Sequence, residues 1–146
     1  MNKYTPIIRT LFLTSIFFLT TISYAQIPDK CRSIKIEGDS STTEKIIASL
    51  VSNGYNIKNV SKYSISTEGK KIKSWSYDIN VSSINNIYTF SIYWNTSVSL
   101  NIGYASTGPT REICSFKGMN SSAYKVGFNE LNALVLSLGY PINYIQ

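Results

Sequence analysis

The chain has 146 residues, a formal net charge of +6, two cysteines, eleven tyrosines and no histidine. The lack of histidine excludes Ser-His-Asp and Cys-His machinery, histidine-ligated zinc and a histidine general base. Hydrophobic residues at 43% against charged residues at 15% exclude a disordered chain and suit one compact domain.

The first 25 residues read as a cleaved secretory signal peptide. Lys3 and Arg9 form a positive start, Leu11 to Leu19 is a short apolar stretch, and Ser23-Tyr24-Ala25 places small residues at a cleavage site. The apolar stretch is short for a membrane span, which needs about 20 residues. Gln26, not cysteine, follows the cut, so lipidation is not expected. The remaining 26–146 form a single expected globular domain, exported to the periplasm or released. Without Lys3 and Arg9, twelve basic residues face eight acidic ones.

In chain order, Ile34-Lys35-Ile36 is a short expected strand. Ser41-Thr42-Thr43-Glu44 has the form of a capping box, with the serine hydroxyl accepting the amide of Glu44. Ile46, Ile47, Leu50 and Val51 follow at helical spacing and Gly54 supplies a left-handed stop, which predicts a helix over 42–53. From Tyr55 the period changes to two. Tyr63 and Ile65 precede an expected turn at Thr67-Glu68-Gly69-Lys70. Trp75, Tyr77, Ile79 and Val81 share one strand face, as do Tyr88, Phe90, Ile92 and Trp94, and then Val98, Leu100, Ile102 and Tyr104.

Ser106-Thr107-Gly108-Pro109 reads as a loop and Glu112 to Phe116 as a last strand. Tyr124, Phe128, Leu131, Val135 and Leu138 form a helical stripe, capped by Asn120 or Ser121 and ended by Gly139 and Pro141. The fold expected is a two-layer α+β domain. An antiparallel meander of about four to five strands carries two amphipathic helices on one face. Cys31 and Cys114, an even pair in an exported domain, are expected to form a disulfide. Closing that loop of about 83 residues would stabilise the fold by up to roughly 4.6 kcal/mol.

Little in the sequence points to catalysis. There is no phosphate loop or dinucleotide fingerprint. Glu37 and Asp39 are close in sequence, but Asp39 precedes a helix, where an acid favours the dipole. Asp78 alternates against the apolar face and is expected to point to solvent. No enzyme, cofactor or metal is therefore expected.

Two surfaces remain as binding candidates. Lys70, Lys71 and Lys73 form a basic cluster suited to steering an acidic partner. The polar strand face offers Ser74, Ser76, Asp78, Asn80, Thr89, Ser91, Tyr93, Ser99 and Asn101, with Tyr93 as an aromatic anchor. Modest charge and the export signal argue against nucleic acid. The expectation is a periplasmic protein that binds and neutralises another protein, such as a toxin or a hydrolase, by covering its active surface. The alternative is a secreted adhesin or toxin-binding subunit that recognises glycans. In size and build the mature chain is similar to exported immunity proteins and to periplasmic inhibitors of lysozyme-type enzymes.

Overall fold

The computed structural model describes residues 26–96, 100–102, 105–107 and 109–146, with no side-chain detail over 97–108. The expected signal peptide, Val98, Ser99 and Tyr104 lie outside the described residues. The elements are β1 (Ser33–Glu37), α1 (Thr42–Ser52), β2 (Ile57–Val60), β3 (Ser64–Thr67), β4 (Lys70–Ile72), β5 (Trp75–Ile84), β6 (Ile87–Asn95), β7 (Leu100–Ile102), β8 (Ala105–Thr107), β9 (Arg111–Ile113), α2 (Ala123–Ser137) and β10 (Ile142–Ile145). The fold is α+β, with an antiparallel sheet and two helices.

The sheet grows from the β5–β6 hairpin, paired from Ser76↔Asn95 to Ile84↔Ile87. Asn85 and Asn86 close it with φ of 51° and 62°, the left-handed pair that a two-residue hairpin turn requires. Each outer edge of this hairpin is covered by two shorter strands. β3 and β4 lie along β5, and β1 and β9 lie along β6; β2 and β10 complete the order β10-β1-β6-β5-β3-β2. The main sheet thus has eight strands rather than four or five, while β7 and β8 pair separately. The unexpected strands β2, β4 and β10 have three or four residues each, too few for alternation to reveal them, while the strand expected over Glu112 to Phe116 is β9, ending at Ile113.

Glu68 and Gly69 do not form a hairpin turn. They interrupt the line of strands beside β5, because β3 and β4 both run antiparallel to β5. At this break the N–H of Ile79 donates to the hydroxyl of Thr67 at 2.9 Å. The hairpin turn falls instead at Lys73-Ser74, where Lys73 takes φ 56°. Ser106 and Thr107, expected in a loop, belong to β8.

Period two sorts the side chains as the sequence predicts. Tyr77, Ile79, Val81, Phe90 and Ile92 are at most 1% exposed, and their face receives both helices. Tyr77 donates to the carbonyl of Ala123 in α2, and the Tyr88 and Thr43 hydroxyls meet at 3.1 Å beneath α1. Ile46 and Leu50 from α1 and Phe128, Leu131 and Val135 from α2 complete the core. Full burial of each such side chain contributes about 1.5–3 kcal/mol.

The caps differ from expectation in detail. Ser41 makes no side-chain cap bond. Asp39 instead holds the residue before the helix, accepting from the N–H and hydroxyl of Ser41 at 2.8 and 2.7 Å, which keeps its carboxyl below the usual range. Gly54 ends α1 as predicted: its N–H reaches the carbonyl of Val51 and that of Tyr55 reaches Leu50. Ser122, one or two residues beyond the candidates, caps α2 by accepting from the N–H of Lys125.

Cys31 and Cys114 are not joined; both are free and buried. Their backbones are close, since Phe116 N–H donates to Cys31 O, yet the thiols point to different neighbours. Cys31 Sγ lies 3.3 Å from the carbonyl of Ser33, and Cys114 Sγ lies 3.9 Å from that of Ala123. Burial raises the Cys31 pKa and pushes that of Cys114 up to about 12. Both thiols therefore stay protonated and pack as small apolar groups. Titration of native protein with a thiol reagent should show slow reaction, with two thiols appearing on unfolding; a disulfide would give none.

Gly127 lets α2 approach the sheet. A Cβ there would lie 2.6 Å from Tyr77 Cε1 and 2.7 Å from Cys114 Sγ. Alanine for glycine within a helix ordinarily gains about 1 kcal/mol. Here the clash reverses the sign, and Gly127→Ala should lose about 1–3 kcal/mol in chemical denaturation. A more stable variant would contradict this packing.

Candidate functional site

Among the described residues, neither helix covers the second face of the sheet. Cross-strand register builds this face as successive lines of short polar groups. One line runs Lys71, Ser76, Asn95, Arg111 across β4, β5, β6 and β9. The next holds Asp78, Tyr93 and Ile113. A third runs Asn59, Ser66, Asn80, Ser91, Ser33. Within it the Ser33 and Ser91 hydroxyls meet at 2.8 Å.

Asp78 lies on the expected face but is not open to solvent; it is only 8% exposed. Arg111 covers it from β9. Its Nε lies 3.3 and 3.2 Å from the two carboxylate oxygens, and Nη2 lies 2.5 Å from Oδ2. Asn95 Nδ2 also donates to Oδ1, at 2.5 Å. The same guanidinium sits 3.5 Å from the centroid of the Tyr93 ring. With its amide oriented to suit its neighbours, Asn80 accepts from Arg111 Nη2 at 3.2 Å. Hydrogen bonding to Asp78 raises the already high pKa of Arg111.

This arrangement fixes a cation on an aromatic ring. Fork geometry and stacking both suit arginine, and lysine could not reproduce them. The Asp78 carboxylate accepts from two residues and is committed to holding Arg111, which leaves it poorly placed as a base. The Arg111 side chain remains 44% exposed and therefore presents its outer edge to solvent.

The sequence-predicted residues part company. Tyr93 lies at the centre of the cluster. Lys71 is exposed at the end of the first line, and Lys73 is exposed in the adjoining turn. Lys70 points to the helical side. Its Nζ pairs with Glu130 at 2.9 Å, donates to the carbonyl of Asn53 at 2.6 Å and sits 4.6 Å from the Tyr55 ring centroid. It fastens β4 to both helices. Sequence reasoning missed Arg111 and Asn95 because their meeting with Asp78 depends on long-range register that no local pattern encodes.

No protein-family model, curated protein or solved structure matches this chain. The functional reading therefore rests on the chemistry of the site.

Removing Arg111 strands a nearly buried carboxylate. A fully buried broken pair costs about 3–5 kcal/mol, and partial exposure of Arg111 reduces this. Arg111→Ala should lose about 1–3 kcal/mol in denaturant titrations. Because Asp78→Asn removes the same pair, the double variant should lose clearly less than the two single losses together. Additive losses would contradict the coupling.

Proposed function

We propose that this chain is an exported binding protein that engages and neutralises another protein, such as a toxin or a hydrolase, in the periplasm. The observation that carries this reading is the Arg111–Tyr93 stack, locked by Asp78 on a sheet face that no described helix covers. Arginine and tyrosine dominate the energetically decisive centres of protein interfaces. A side chain already held in one geometry loses little entropy on binding. The short hydroxyl and amide groups around the stack supply adaptable hydrogen bonds. Export is supported by the positive start, short apolar stretch and Ser23-Tyr24-Ala25 site of the sequence.

Affinity capture from the producing cell with the immobilised mature chain, alongside a folded Tyr93→Ala/Arg111→Ala variant, tests this directly. The expected result is one stoichiometric protein retained by the native chain and lost from the variant. Equal retention by both, or no specific protein, would overturn the reading. Lys71 and Lys73 are exposed lysines of the expected basic cluster on the side of this face, so they are the steering residues. Lys71→Ala/Lys73→Ala should slow association with the captured partner by about threefold to tenfold at low salt and change dissociation little. An unchanged association rate would remove them from the interface.

A further inference from the structure

The break between β3 and β4 at Glu68 and Gly69 opens a cleft of about 670 Å³ beside the Asp78–Arg111 pair. Its size lies within the range of small-ligand sites, about 300–1,000 Å³. Such sites are mostly apolar, whereas this one is lined by Lys58, Asn59, Ser66, Glu68, Asn80 and Asn95 together with the ion pair. An apolar ligand would leave those groups without partners.

The charges narrow the ligand further. Lys58 and Arg111 are balanced by Glu68 and Asp78, and Arg111 is already bound to Asp78. A phosphate or carboxylate would meet two carboxylates, and a cation would meet two basic groups. A neutral ligand meets no net opposition. Asn59, Ser66 and Lys58 make no side-chain hydrogen bond to another described residue, so a ligand finds their amide, hydroxyl and ammonium available. The lining offers donors and acceptors side by side. Sugar hydroxyls are the ligand groups that both donate and accept at every oxygen. Asn59, Ser66, Asn80 and Asn95 stand on paired strands, so their backbones are held in place before any ligand arrives, while Lys58 and Glu68 sit at breaks in the pairing.

We infer that this cleft is a binding subsite for a short neutral oligosaccharide. The inference rests on the same sheet face as the binding-protein reading, but it does not require that the main partner be a protein.

The test is titration of the ¹⁵N-labelled mature chain with chitotriose, maltotriose and lacto-N-tetraose, followed by amide chemical shifts. At least one sugar should give saturable shifts centred on Asn59, Ser66, Asn80 and Asn95. Asn80→Ala and Ser66→Ala should each weaken that binding by about tenfold, the loss of one well-made hydrogen bond. Ser82→Ala, one line further along the same face, should leave it unchanged. Absence of saturable shifts with all three sugars would overturn the inference. Shifts elsewhere, or binding indifferent to Asn80→Ala in a variant with a dispersed spectrum, would do the same. Protein capture that still depends on Tyr93 and Arg111 would then show that the binding-protein reading stands without the sugar site.

Discussion

The structure depends on one constraint: strict alternation along a hairpin of a ten-residue and a nine-residue strand. Two left-handed asparagines fix its register, and register decides which face every side chain takes. A slip of β5 by one residue would send Tyr77, Ile79 and Val81 to the polar face and Asp78 into the core. Both helices, the four strands that flank the hairpin and the polar face inherit their positions from this pairing. Gly127 then sets how closely α2 can lie on the hairpin, and Tyr77 joins the two through a buried hydrogen bond.

The polar face is organised by a different force. Asp78 is nearly buried on a side where water would ordinarily solvate it, and it is tolerated because Arg111 and Asn95 satisfy its oxygens. Such a pair adds little net stability compared with a well-packed apolar alternative. Its physical effect is orientation: it holds a guanidinium flat against Tyr93 on an otherwise mobile class of side chain. Lys70 does comparable work on the other side, where its ammonium ties β4 to both helices. Two neighbouring basic positions, Lys70 and Lys71, therefore serve opposite layers because strand alternation separates them.

Much of the architecture was legible from local pattern. The limits of α1, the stripe of α2, its glycine stop and the buried faces of β5 and β6 all follow from spacing of apolar residues. What escaped depended on distant partners. β2, β4 and β10 are too short to show alternation and exist because a partner strand from elsewhere in the chain stands beside them. Cys31 and Cys114 invite pairing by their even number and the export expected from the sequence, yet the thiols turn toward Ser33 and Ala123. The place of Tyr93 on the polar face was legible from strand alternation. Arg111 was not, because it reaches Asp78 only after the chain has returned from β7 and β8 to lie along β6.

The account stands on the uncovered sheet face being the surface that meets the partner. Amine-reactive footprinting of the chain, alone and with its captured partner, tests this most directly. Lys35, Lys58 and Lys71 belong to the polar face, while Lys45 and Lys125 belong to the helical layer. Protection of Lys58 and Lys71 on binding, with Lys45 and Lys125 still labelled, is the predicted result. Protection of Lys45 and Lys125 with Lys58 and Lys71 unchanged would place the interface on the helices and contradict the account.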